Sequence, residues 1–178
     1  TTYLYRYYSF IQPDMKKWLK ILLYGLLAIF LLAQFIRPER NLSNDQQYHI
    51  STRYPVPEPV AAILKTACYD CHSNYTVYPW YANIQPVAAW LANHVEEGKS
   101  ELNFSAFTQR RIAVQNHKLE EIIEMVREGE MPLGSYTWVH RDAVLSAEQK
   151  ELLTGWAQGL MDSIKAQYPP DSLVLRRR

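Results

Sequence analysis

The sequence of 178 residues contains little cysteine and almost no excess of charge of either sign. Its two cysteines, Cys68 and Cys71, are too few and too close together for the disulfide framework of a small secreted domain. The 19 lysines and arginines nearly balance the 18 aspartates and glutamates, whereas a dedicated nucleic-acid-binding protein usually has a strong basic excess. We therefore expect no nucleic-acid partner. Because 48% of the residues are hydrophobic, general disorder is also excluded, and the length suits one domain with an appendage.

One long apolar run lies near the N-terminus. No residue between Ile21 and Ile36 is charged, and with Trp18 and Leu19 the run reaches the roughly 17–25 residues that span a bilayer. The flanking basic residues are Lys16, Lys17 and Lys20 before the run and Arg37 and Arg40 after it. This weak bias favours a cytoplasmic N-terminus. We predict one transmembrane helix over residues 15–37, which attaches the chain to a membrane, with a cleaved signal peptide as the alternative.

The residues before and after this run have different compositions. Residues 1–14 are aromatic, and Met15 followed by two lysines resembles a natural start, so we interpret residues 1–14 as an upstream extension. Residues 38–59 are polar, and the last few alternate with proline, which predicts a stiff, extended linker. Residues 169–178 end in three arginines, a basic tail that we expect to be solvated.

Between residues 60 and 168 the pattern is helical, and no segment predicts a strand convincingly. Apolar residues recur at intervals of three and four, as on one face of a helix. Ser146 and Gln149 have the spacing of a capping box, while Gly98 and Gly129 predict the ends of two earlier helices. The predicted fold class is all-α, one helical domain after one N-terminal transmembrane helix.

The sequence Cys68-Tyr69-Asp70-Cys71-His72 carries the chemistry. C-x-x-C-H is the attachment motif for c-type haem. Two thiols at this spacing can reach the two vinyl groups along one edge of a porphyrin and form thioether bonds. The next residue, His72, is then placed beneath the iron as its proximal ligand, because imidazole suits iron well. A backbone carbonyl of Pro79 or Pro86 is a candidate partner for the other ring nitrogen of His72.

Two other chemistries use closely spaced cysteines. A structural zinc site normally needs four ligands in two clusters, and the sequence has no second cysteine pair. A thioredoxin-like C-x-x-C motif lies within a βαβ pattern, and strands are not predicted here. We therefore interpret the motif as a site for one covalent haem c.

Met131 is the first candidate for the second axial ligand. It stands in a loop after a predicted helix, and Pro132 behind it stiffens the backbone. A thioether ligand raises the reduction potential relative to a second imidazole. The alternatives are His94, which lies on an apolar helix face, His140, which lies in a loop close to Met131 in sequence, or an open position. Packing in the core is the ordinary role of a methionine.

Three segments resemble a known family, namely CYDCHSNYTVYPWY, PVAAWLANHVEEGKSELNFSAF and GEMPLGSYTWVHRDAVLSAEQKELLTGW. Over about residues 43–165 the chain is similar to the single-haem "haem-binding domain" family of c-type cytochromes, with a class I cytochrome c-like layout around one haem. The resemblance implies haem c linked at Cys68 and Cys71, His72 as proximal ligand, and Met131 at the family's Met-Pro position. Members are typically exported bacterial proteins, which implies a single-pass inner-membrane protein with its haem domain on the periplasmic side. The family's histidine after Met-Pro matches His140.

Two functions fit this chemistry. The first is one-electron transfer to and from redox partner proteins, which needs a low-spin haem with both axial positions filled and makes the protein a carrier rather than an enzyme. The second is haem-based sensing or peroxidase-like chemistry, which needs a displaceable sixth ligand and a polar group near it, such as His94 or His140.

Overall fold

The computed structural model describes residues 15–175, and this part of the chain is helical without strands. Its seven α-helices are α1 (Met15–Ala33), α2 (Glu58–Ala67), α3 (Tyr69–His72), α4 (Val87–Glu101), α5 (Ile112–Glu128), α6 (Gly134–Val139) and α7 (Ala147–Gln167). Five 3-10 turns connect them: Ile50–Thr52, Trp80–Asn83, Phe104–Gln109, Arg141–Ala143 and Pro170–Leu173. The prediction of an all-α fold is confirmed for these residues. The predicted upstream extension and the three terminal arginines lie outside them.

The N-terminal helix differs from the prediction. α1 contains three lysines in its first six residues and ends at Ala33, after which Gln34 and Phe35 donate to carbonyls three residues back, in tight turns. The uncharged part of the helix, residues 21–33, rises about 20 Å, whereas the hydrocarbon core of a bilayer is about 30 Å thick. Among residues 15–175, no helix has the length and apolar character needed to cross a membrane. The prediction of a transmembrane helix over residues 15–37 is therefore not supported.

The described chain divides into two compact units. The smaller comprises residues 15–39 and 79–91, and the larger comprises residues 40–78 and 92–175. In the smaller unit, the residues after α1 bond to the segment that leads into α4. The Gln85 N–H donates to Gln34 Oε1 at 3.0 Å, and the Gln85 side chain donates to the Ile36 carbonyl at 2.8 Å. The Arg37 guanidinium donates to the Asn83 carbonyl at 2.7 Å.

The core of the larger unit is built mainly from α5 and α7, which pack along each other, with α2 against α7. The apolar faces predicted from the helical spacing supply its fully buried side chains, including Leu64, Leu119, Leu153 and Ile164. Two of the helix signals from the sequence are present. Ser146 and Gln149 form the capping box of α7, and Gly129 ends α5 in the left-handed conformation, with φ of 78°. Packing against α7 holds both α2 and α5. The C-terminal ends of these two helices lead into the site.

The segment predicted as an extended linker packs on the larger unit over much of its length. The Thr76 N–H donates to the Asn41 carbonyl at 3.0 Å, and Ile50 has 0% of its surface exposed. Near the prolines, the Trp156 indole N–H donates to the Pro55 carbonyl at 3.0 Å. The Ile50 side chain therefore makes this segment part of the hydrophobic core, a role that its polar average composition conceals.

Candidate functional site

One cavity of the larger unit brings together all four predicted site residues. It has a volume of about 300 Å³ and opens to solvent, and Cys68, Cys71, His72 and Met131 all line it. His94 lines the same cavity, so this alternative to Met131 stays open. His140 is not among the lining residues, and its ring stacks on Tyr136 instead, with 4.3 Å between ring centroids. The sequence therefore selected residues that the fold does bring together.

A break between two helices presents the C-x-x-C-H residues. α2 ends at Ala67, and Cys68 leaves the helical conformation with φ of −126° and ψ of −42°. The Cys68 carbonyl then accepts hydrogen bonds from the Cys71 and His72 N–H groups at 3.2 and 2.9 Å. Cys68 and the single turn α3 that follows it together place both thiols and the imidazole at one cavity. Tyr69 lies between the two cysteines in sequence, and its ring packs on Phe104 of the core, with 5.5 Å between ring centroids.

The His72 imidazole is held by the backbone at the end of α4. Its Nδ1 lies 2.8 Å from the Gly98 carbonyl oxygen and 3.0 Å from the Leu102 carbonyl oxygen. Because a carbonyl can only accept, Nδ1 carries the proton, and Nε2 is left with a lone pair for a metal. Burial lowers the pKa of His72, although the two hydrogen bonds oppose this effect, so the ring is neutral at neutral pH. The expected carbonyl partner, Pro79 or Pro86, was wrong.

Gly98 permits this arrangement. The sequence predicted it as the end of a helix, but α4 continues to Glu101, and Gly98 lies inside it. A Cβ atom at Gly98 would lie 2.8 Å from the Cys71 carbonyl oxygen and 3.0 Å from Cys71 Cβ. A glycine costs a helix interior about 0.5–1 kcal/mol relative to alanine. Here that cost is offset because only glycine lets α4 approach the motif closely enough to bond His72.

The two thiols are kept protonated. Burial raises the pKa of Cys68 to about 12, and Cys71 adds to the effect. Burial together with the Asp70 carboxylate raises the pKa of Cys71 to about 11. Redox-active cysteine pairs have the opposite property, a lowered pKa that exposes a thiolate. The environment of these cysteines therefore argues against the thiol-redox interpretation of the motif.

Met131 lies in a short connection between two helices. After Gly129, the Glu130 and Met131 N–H groups both donate to the Met125 carbonyl, at 2.9 and 3.1 Å, which closes the end of α5. α6 starts three residues later, at Gly134. Met131 is half-buried, with its side chain at the cavity rather than in the hydrophobic core. The ordinary packing role of methionine therefore does not describe this residue.

The donor set of the cavity fits a haem. Two protonated thiols, an imidazole with a lone pair on Nε2 and a thioether sulfur share one mostly apolar pocket, and these are the groups that a c-type haem uses. A structural zinc site would need four such ligands grouped around one point. Within residues 15–175 no cluster of three or more histidine, cysteine, aspartate or glutamate side chains is arranged to hold a metal ion.

Comparison with known proteins agrees with this chemistry. No curated protein and no solved structure is significantly similar to the chain. The model of one family, described as a haem-binding domain, matches residues 28–159 and so covers most of the sequence, including the whole cavity. The chain belongs to the haem-binding domain family.

Proposed function

We propose that this haem-binding protein is a c-type cytochrome that holds one haem covalently and transfers single electrons. The observation that carries the proposal is the shared cavity of Cys68, Cys71, His72 and Met131. Each thiol would add across one vinyl group of the porphyrin, its sulfur bonding to one carbon and its hydrogen passing to the other. This addition needs no oxidant. Protonated thiols are its reactants, in keeping with the raised pKa values of both cysteines.

His72 and Met131 are the proposed axial ligands. His72 offers Nε2, because both carbonyl contacts are made by Nδ1. Met131 offers its sulfur from the turn after α5, and a soft thioether favours the reduced iron. The bound haem supplies a one-electron couple. With both axial positions filled, the chain needs no substrate site, and its function is to carry electrons between redox partner proteins that bind weakly and transiently.

We also propose that the protein works outside the cytoplasm, at the outer face of a bacterial inner membrane. Haem is attached to C-x-x-C-H motifs outside the cytoplasm, which supports this location. The apolar side chains of α1 are exposed along its length, for example 67% of Leu32 and 66% of Ile29. Trp18 and three lysines stand at the N-terminal end of α1, and such residues suit a lipid interface. We propose α1 as the part that contacts lipid.

His94 supports a second candidate function. Its place in the cavity lining makes it a rival ligand or a polar group beside a displaceable Met131. In that case the haem would bind external ligands, and the protein would act as a sensor or a peroxidase-like catalyst.

A haem stain and a spectrum test the proposal. In a host that matures c-type cytochromes, the parent chain should carry haem through a denaturing gel and gain the mass of one haem, whereas a Cys68→Ser, Cys71→Ser double variant should not.

The absorption spectrum tests the axial ligands. The ferric parent should be low-spin, with a weak sulfur-to-iron band in the far red. Met131→Ala should lose that band, and His94→Ala should keep it. A colourless parent would overturn the covalent haem, and an unchanged Met131→Ala spectrum would overturn the sixth ligand. High-spin haem that binds carbon monoxide at once would favour the second function.

A further inference from the structure

Asp70 connects two segments of the site that are far apart in sequence. It lies between the cysteines, in what we term the attachment segment, Cys68–His72. Its Oδ1 accepts a hydrogen bond from the Val77 N–H at 3.0 Å, which fixes the loop after the motif. Its Oδ2 accepts a hydrogen bond from the Tyr136 hydroxyl at 2.9 Å. Tyr136 ends the methionine segment, Met131–Tyr136, and lines the same cavity.

The Tyr136 ring is held on one face as well as at its hydroxyl. The His140 ring stacks on it at an interplanar angle of 14°. The hydroxyl also lies 3.3 Å from the Thr66 carbonyl at the end of α2. Burial and the neighbouring Asp70 carboxylate raise the pKa of Tyr136 well above its usual value, so the phenol remains a donor. A donor facing a carboxylate makes a stronger hydrogen bond than a neutral pair does.

The Asp70 carboxylate has an electrostatic cost at this position. It raises the pKa of the adjacent Cys71 thiol, because two negative charges repel each other. The Thr137 hydroxyl, next to Tyr136 in α6, bonds to the nearby Leu133 and Gly134 carbonyls and so stays within its own turn. The Tyr136 hydroxyl instead reaches across to the attachment segment. This hydrogen bond therefore links the methionine segment to the motif.

We propose that Asp70 and Tyr136 form a positioning pair that holds Met131 at the cavity and so sets how readily an external ligand can replace it. The inference rests on the proposed function, since it concerns the sixth ligand of the same haem. Neither residue binds iron. The pair acts by restraining the short connection between α5 and α6, and it makes the Met131 position less displaceable than the half-exposed turn alone would be.

The test is ligand exchange in the ferric holoprotein. Tyr136→Phe keeps the ring and its stacking on His140 but removes the hydroxyl, and Asp70→Asn keeps the shape but removes the charge. Imidazole should displace Met131 about tenfold faster in Tyr136→Phe, as expected from the loss of a hydrogen bond to a charged acceptor. The double variant should be little faster than Tyr136→Phe, because both changes act on the same hydrogen bond. Tyr48→Phe, a tyrosine outside the cavity lining, is the matched control and should exchange like the parent.

Amide hydrogen exchange gives a second readout, which can be measured whichever residue is the sixth ligand. Amides of residues 131–139 should exchange faster in Tyr136→Phe than in the parent or in Tyr48→Phe. An unchanged imidazole rate in Tyr136→Phe, while Met131→Ala loses the far-red band, would overturn the pair but not the ligation. If Met131→Ala keeps its band, the ligation is wrong, and the exchange at residues 131–139 then decides whether the pair exists.

Discussion

The attachment segment and the methionine segment line one cavity but are held in different ways. In the attachment segment, hydrogen bonds to the Cys68 carbonyl hold the backbone, and the carbonyls of Gly98 in α4 and of Leu102 just after it hold the His72 ring. Gly98 also packs directly on Cys71. The methionine segment consists of the turn after α5 and the first residues of α6. Bonds to the Met125 carbonyl close the turn, and Gly134 is exposed. One side of the cavity is therefore built by close backbone packing, and the other by a short connection and a side-chain pair.

This difference assigns different tasks to the two sides. A His72 ring that is already oriented loses little freedom when its Nε2 binds iron. The Met131 position can move at smaller cost, because fewer buried contacts hold it. We expect the attachment segment to determine whether the protein folds around its cofactor, and the methionine segment to determine the properties of the bound haem.

The largest expected effect is that of a single methyl group at Gly98. Gly98→Ala puts Cβ 2.8 Å from the Cys71 carbonyl oxygen, so α4 must move away from the motif. We expect the free energy of unfolding to fall by about 1–3 kcal/mol, the usual cost of overpacking, with less haem attached. Gly134→Ala is the matched change in the other segment, where nothing lies within 4 Å of the new Cβ. It should be neutral or stabilising by up to about 1 kcal/mol. Denaturant unfolding and haem content measure both.

Equal effects of the two glycine variants would contradict the comparison between the segments. A stable Gly98→Ala protein with normal haem content would show that α4 can shift without losing the His72 hydrogen bonds. A strongly destabilised Gly134→Ala protein would show that the methionine segment is packed as tightly as the motif.

The sequence predicted those parts of the structure that depend on local spacing. Cys68, Cys71 and His72 lie within one stretch of five residues, and Ser146 and Gln149 lie one helical turn apart, so their relationship is readable without a fold. Gly98 was mistaken for a helix end because its actual partner, Cys71, is distant in sequence. The Gly98 and Leu102 carbonyls are also far from His72 in sequence, so local spacing does not identify them as its hydrogen-bond partners.

Average composition does not show which residues of a segment are buried or where a helix ends. The predicted linker is polar on average, but Ile50 and Tyr54 within it are buried and join the hydrophobic core. The apolar run up to Ile36 predicted a helix that continues to its end. The regular helix instead ends at Ala33, where bonds to carbonyls three residues back replace those of the α-helix. Where a helix ends depends on such local bonds, which hydropathy does not report.

A smaller effect is expected from the charge of Lys118. Its side chain is 18% exposed, and its ammonium lies 3.2 Å from a Glu101 oxygen and 2.6 Å from a Glu121 oxygen. Burial lowers the pKa of His72, and the Lys118 charge lowers it further. The electrostatic field of Lys118 therefore reaches the His72 ring in the attachment segment. Lys118→Gln should lower the haem midpoint potential by some tens of millivolts, on the order of 1 kcal/mol, because a nearby positive charge disfavours oxidised iron. Lys165→Gln on α7, outside the cavity lining, should leave the potential unchanged. Equal shifts in potentiometric titrations would show only an effect of net charge.

The smallest effect should come from His49, which supports the attachment segment from outside the cavity. Its Nδ1 accepts the Ser51 N–H at 3.2 Å, and its ring packs edge-on against Tyr69 at 5.7 Å. Burial lowers the pKa of His49, so as the pH falls below about 6.5 the unfolded chain takes up a proton before the folded one. The free energy of unfolding should therefore fall with pH, by less than the roughly 1.4 kcal/mol per pH unit of one fully uncoupled proton. His49→Asn keeps an acceptor for Ser51 but does not titrate, so its denaturation midpoint should fall less steeply between about pH 7 and pH 5. Identical slopes in the parent and the variant would mean that folding does not shift the pKa of His49, so that this side chain is not shielded from water beside the attachment segment.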